Sequence, residues 1–161
     1  MSQRRRVIYD LIEEPRGEIY RKLVDCALIY CDVVLLVVPG SKPTKSTLET
    51  LERLSPFLSR KSEESEWPGT KLLGAGAGAT VYYYRFTSES AAVLKNITSS
   101  LYSWCQPKLP EDLCFLRIDQ SPWLVSIAHE QDSYLELTED ERSQLAKLLP
   151  ELQLIRFTES Q

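Results

Sequence analysis

A single α+β domain is the fold class this chain predicts, and three observations predict it. Its 161 residues lie close to the common size of one domain, about 100–150 residues. Windows with apolar residues at helical spacing alternate with short runs rich in valine or tyrosine, the two patterns that separate helix from strand. The runs after residue 113 follow one another closely enough to pair locally as a meander, which disfavours all-parallel wrapping. The expected architecture is a small mixed or mainly antiparallel sheet of about four to five strands with about four helices on one face, in the order α-β-α-β-α-β-β-(β)-α.

Residues 7–14 are short and mixed and carry no firm assignment. From Pro15 the pattern becomes helical. Proline suits a first helical position, and Ile19, Tyr20, Leu23, Ala27, Tyr30 and Cys31 recur at helical spacing, so the helix should stop near Cys31. Val33–Val38 is continuously apolar and rich in valine, as a buried central strand is, and Pro39-Gly40 closes it with turn chemistry. Ser46 and Glu49 have capping-box spacing for a second helix striped by Leu48, Leu51, Leu54 and Leu58, with a break near Ser55 ahead of Pro56. Residues 59–71, serine-rich and charged, read as an exposed and mobile connection.

Thr80–Phe86 is the clearest strand, because valine, three tyrosines and phenylalanine suit a pleated, half-buried surface. Ser88 offers an N-cap for a helix with Val93, Ile97, Leu101 and Trp104 on one face. A loop with two prolines then leads into Leu113–Ile118 and Pro122–Glu130, an antiparallel pair joined by Asp119-Gln120-Ser121. Tyr134–Leu137 adds a short strand. Thr138 and Glu141 form a further capping box, before a helix bearing Leu145, Leu148 and Leu149. The tail around Leu154 is expected as a short strand or as coil. Residues 1–161 are expected to form one domain, with 1–6 and 157–161 frayed.

The composition, 43% hydrophobic and 26% charged, excludes collagen-like and wholly disordered chains. No apolar run reaches the 18 or so residues of a membrane span, and the basic start gives way to Asp10 without the apolar region of a secretory signal. The expected address is therefore cytoplasmic, with no membrane partner. There the four cysteines, at 26, 31, 105 and 114, are expected as reduced and unbridged thiols, since no C-x-x-C spacing is present.

The net charge of −4 argues against nucleic acid as a partner. Its distribution is uneven. Residues 1–61 carry 11 Lys/Arg and 8 Asp/Glu, whereas residues 111–141 carry nine acids and Arg117 alone. That segment is where a basic protein partner would dock. Glu111, Asp112, Asp119, Asp132 and Glu136 are the candidate partner-binding residues.

No catalytic motif is legible. Gly74-Ala75-Gly76-Ala77-Gly78-Ala79 satisfies a loose dinucleotide fingerprint, but a strand follows it where the fingerprint needs a helix N-terminus, and no P-loop lysine follows. His129 is the only histidine. Strand alternation would set it at the end of an apolar row with Trp123, Val125 and Ile127, as a packed or edge residue. One histidine without paired cysteines builds no zinc site by the usual spacings. Ser126 lacks a nucleophile elbow, and a pair between His129 and Cys105 or Cys114 depends on folding. Tyr82–Phe86 lacks the basic and glycine pattern of an RNA-binding sheet. The stiff loop after Trp104 offers a second contact surface.

The expected function is a non-enzymatic protein-interaction module, an adaptor, regulatory subunit or inhibitor, working through an acidic face with no cofactor or metal. The alternative is a small-molecule or nucleotide-binding protein, with or without catalysis, using the glycine loop 74–79 and His129.

Overall fold

Ten strands and four helices follow one another in the structure, a computed structural model that describes residues 5–40, 42–74, 76 and 78–158. They are β1 (Val7–Leu11), α1 (Glu18–Tyr30), β2 (Val33–Pro39), α2 (Lys45–Leu54), β3 (Leu58–Glu64), β4 (Glu66–Trp67), β5 (Thr70–Lys71), β6 (Ala79–Arg85), α3 (Ser88–Ile97), β7 (Glu111–Leu116), β8 (Pro122–Ile127), β9 (Asp132–Leu137), α4 (Glu139–Leu148) and β10 (Leu154–Arg156). Eight strands form one sheet in the order β10-β1-β9-β8-β7-β2-β6-β3, and β4 and β5 form a separate hairpin. Every pairing is antiparallel. Among the described residues, no helix is long and apolar enough to cross a membrane.

The expected sheet of four to five strands is thus too small, and among the described residues a strand, β1, precedes the first helix. The additions escape the sequence for two reasons, shortness and a charged edge. β1 and β10 are short, and β3 is an edge strand with Arg60, Lys61, Glu63 and Glu64 along it. Charged edges resist pairing with other chains, and for that reason they lack an apolar signature. The connection expected over 59–71 is instead β3 and the β4–β5 hairpin.

The helices lie on one face of the sheet. Tyr20, Leu23 and Val24 of α1, Leu54 of α2, Leu94 of α3 and Leu145 of α4 share a buried core with Val34, Leu36, Phe115, Leu124 and Leu135 of the strands. Trp104 is fully buried there, and its indole Nε1 donates to the Tyr20 hydroxyl at 3.0 Å. The alternate residues of the central strands, Leu35, Val37, Val81, Tyr83, Cys114 and Val125, form a second core on the opposite face with Trp67 of the hairpin. Period two along each strand supplies both faces, which explains the continuous apolar run of β2.

Helix boundaries differ from the expected ones: α1 begins at Glu18 rather than at Pro15, and α3 ends at Ile97, so that Leu101 falls in a separate 3-10 turn and Trp104 follows it rather than lying on the helix. Thr44, not Ser46, caps α2 by accepting from the Thr47 N–H at 3.2 Å, while the Ser46 hydroxyl donates to the Lys108 carbonyl. Thr87, not Ser88, caps α3 in a capping box with Ser90. The box of Thr138 and Glu141 is present as expected. Arg117, the one cation of the acid-rich segment, donates to both Glu141 oxygens and to the carbonyls of Pro122 and Glu136.

A bulge alters the row that includes His129. The β7–β8 register slips between Phe115 and Leu116, leaving Trp123 as an extra residue of β8. Trp123 therefore turns to the helix face and stacks on Tyr30, with ring centroids 5.6 Å apart, while Val125 stays on the other face. β8 ends at Ile127, and Ala128–Glu130 form a 3-10 turn that exposes His129.

Candidate functional site

The second face of the sheet is covered by eight residues that the sequence reading left as a connection. Ser65–Leu72 close on themselves through the Leu72 N–H, which donates to the Ser65 carbonyl at 2.8 Å. Pro68 and Gly69 make the turn. Proline followed by a residue at positive φ is the type II combination, and Gly69 has φ +85°. A Cβ on Gly69 would lie 2.8 Å from Val125 Cγ1 and 3.1 Å from Ile127 Cγ1. The tip of the hairpin therefore sits directly on β8, where only glycine fits.

Trp67 is the hairpin's anchor. Its ring joins the second core, and its Nε1 donates to Asp112 Oδ2 at 3.1 Å. Asp112 is fully buried, and its other oxygen, Oδ1, accepts the Ala128 N–H at 3.1 Å. One carboxylate thus ties together the hairpin, the start of β7 and the turn after β8. Asp112 holds φ +56°, a left-handed conformation that aspartate tolerates better than most residues.

Beside this junction lies a pocket of about 360 Å³ lined by Pro39, Trp67, Gly69–Leu72, Glu111, Asp112, Ile127, His129 and Glu130. Glu111, Asp112 and His129 each place a potential ligand atom within 4.8 Å of the others. Among the described residues no lysine or arginine pairs with either carboxylate. Burial, reinforced by the charge of Asp112, pushes the Glu111 carboxyl above its usual range, against the pull of the Gln106 backbone and His129. Thr70 is among the residues around the pocket, while its hydroxyl oxygen is shut off from solvent and has no hydrogen-bond partner.

The five candidate partner-binding residues separate. Asp112 is no surface residue, because two buried donors occupy it. Glu111 is half-buried in the pocket. Asp119 is exposed, accepts from the Ser121 hydroxyl and N–H, and pairs with Arg6 at 3.5 Å. Asp132 is exposed at the start of β9, and Glu136 is half-buried within that strand. The remaining acids include Glu141, held by Arg117 and the helix cap, and Glu139 and Asp140 in the first turn of α4. Antiparallel folding has divided a run of acids among a junction, a turn and a helix start.

The thiols do not supply a nucleophile. All four cysteines are free. Cys114 is fully buried, donates to the Asp112 carbonyl at 3.3 Å and is pushed up to about 12 by burial. Burial, with Glu111 and Asp112 nearby, likewise raises Cys105. A reactive thiolate needs an electropositive setting, the opposite of this one. The glycine segment runs from β5 to β6, strand to strand, so no helix N-terminus stands behind it to meet a phosphate. Ala75 and Ala77 lie outside the described residues. No protein-family model, curated protein or solved structure matches the chain.

Trp67 and Thr70 are the site residues the sequence reading missed. Pro68-Gly69 was the available signal, a turn dipeptide within the supposed connection. The expected β7–β8 hairpin also held a second signal. Cys114 pairs with Val125, so counting outward brings residues 111–112 beside 127–128, next to the histidine.

Proposed function

We propose that this chain is a binding protein for a small cation, taken into the pocket between the Trp67 hairpin and the sheet. One observation carries the reading: two carboxylates and an imidazole converge within 4.8 Å in a pocket, with no lysine or arginine paired to the acids among the described residues. Concentrating like charge in a half-buried site is unfavourable unless something of opposite sign relieves it. The pocket is also of ligand size, since small-molecule sites begin at about 300 Å³.

The alternative built on nucleotides has less support. The pocket wall presents Glu111, Asp112 and Glu130 against Lys71 and His129, a field that repels phosphate. Support for a basic protein partner is also narrower than the acid-rich segment suggests, because Asp112 and Glu141 are engaged internally.

A thermal-shift panel tests the reading. Cations (divalent ions, spermidine, arginine) are compared with anions (ATP, NAD, inorganic phosphate). A ligand at 100 times its dissociation constant stabilises by about 2.7 kcal/mol, an easily read shift. The expected result is stabilisation by a cation that is lost in Glu111→Gln. Stabilisation by a nucleotide and by no cation would overturn it.

A further inference from the structure

We infer that the cation is a divalent first-row transition-metal ion, held by Glu111, Asp112 and His129, with Trp67 positioning the Asp112 carboxylate. The inference rests on the cation-pocket reading and names its ligand. Three features of the junction lead to it.

The donor set is mixed. Two carboxylates and one imidazole suit manganese, iron, cobalt or zinc, whereas magnesium and calcium prefer oxygen ligands throughout. An organic ammonium would use the imidazole only as one neutral hydrogen-bond acceptor, whereas a transition-metal ion takes the same lone pair as a coordinate bond.

Asp112 has the supporting bonds that ligating carboxylates characteristically have. Its two oxygens accept from Trp67 Nε1 and the Ala128 N–H, which fixes the plane and rotamer of a fully buried side chain. A carboxylate offers about four acceptor positions, so two protein donors leave capacity for an ion. An aspartate needed only to hold the hairpin would require neither Glu111 nor His129 beside it.

Finally, three protein ligands leave positions open, as in exchangeable and catalytic metal sites, whereas structural zinc sites close with four. The site should therefore exchange its ion and bind it in the folded protein, without the ion being needed for folding.

The test is a titration of the full chain, stripped with a chelator, by Mn²⁺ and Zn²⁺, with Mg²⁺, Ca²⁺ and spermidine as comparison arms. Calorimetry gives stoichiometry, and the emission change that is lost in Trp67→Phe at saturating metal gives the location, since the Trp67 indole bonds a ligand residue. One Zn²⁺ or Mn²⁺ per chain is expected, with much weaker binding of Mg²⁺ and Ca²⁺. Glu111→Gln and His129→Ala, at half-buried and exposed positions where folding should survive, should each weaken binding at least tenfold. Trp67→Phe, which removes a supporting donor, should weaken it by about 10–100-fold, and Glu139→Gln, on α4, should leave it unchanged. Saturable binding of spermidine with no transition-metal binding would overturn the metal assignment and keep the cation pocket. Metal binding indifferent to Glu111→Gln and His129→Ala would overturn the site, and no binding by any arm would overturn both readings.

Discussion

The two faces of the sheet are covered by different means. On one, four helices bury a broad apolar core in which many side chains share the load. On the other, an eight-residue hairpin does the covering, held by Trp67, Gly69 and one buried carboxylate. Apolar burial is non-directional and tolerates redistribution, whereas a hydrogen-bonded junction depends on each member. The helix face buries the larger apolar core. The hairpin face is where a modest change moves a pocket.

The largest expected effect lies on the helix face. Trp104→Ala removes a fully buried indole and the donor to Tyr20, and should cost about 3–5 kcal/mol. Urea unfolding followed by circular dichroism should show one transition at much lower urea, with both faces lost together.

Asp112→Leu should cost about 2–5 kcal/mol, because it strands two buried donors and puts a branched side chain at φ +56°. Unlike Trp104→Ala, it should loosen the hairpin selectively, read as easier quenching of Trp67 emission by iodide while the far-ultraviolet spectrum keeps its shape. Gly69→Ala should follow at about 1–3 kcal/mol, since its methyl group meets Val125 Cγ1 at 2.8 Å with the backbone at φ +85°. Equal stability of Gly69→Ala and the parent in urea would mean that the hairpin tip does not rest on β8.

The smallest effect sharpens the comparison from outside either core. Hydrogen bonds from the Ser121 hydroxyl and N–H, aided by Arg6, hold Asp119 down at about 2. Its folded value lies below the unfolded one of about 3.9. Its contribution is therefore complete above pH 4 and lost as pH falls through 2. The side chain is exposed, so solvent screening keeps the gain small. Asp119→Asn should melt slightly below the parent at pH 6, and the gap should close near pH 2.

Legibility in the sequence followed the same division. β2, β6 and the β7–β8 pair were readable because strands buried in a central sheet carry valine, tyrosine and leucine in runs. The box of Thr138 and Glu141 was readable because its chemistry is local. β3 was hidden, since an edge strand that avoids aggregation looks like a charged loop. The Trp123 bulge was hidden as well, because one extra residue reverses a face without changing composition. Of the site, Glu111 and Asp112 were singled out for their charge and His129 for its chemistry, but as unrelated features. Their convergence is a matter of register and of a turn replacing the last residues of a strand, neither of which a single residue's chemistry reveals.

Site-resolved hydrogen exchange tests most directly whether Asp112 holds the hairpin face separately from the helix face. In the parent, the Ala128 and Leu72 amides should exchange through a local opening, faster than amides of β2. Asp112→Asn keeps the shape but exchanges one acceptor oxygen for a donor amide, so it should speed the Ala128 and Leu72 amides strongly and those of β2 little. If all three exchange at the same rate in the parent and shift by the same factor in Asp112→Asn, the two faces form one cooperative unit, and the separate junction is contradicted.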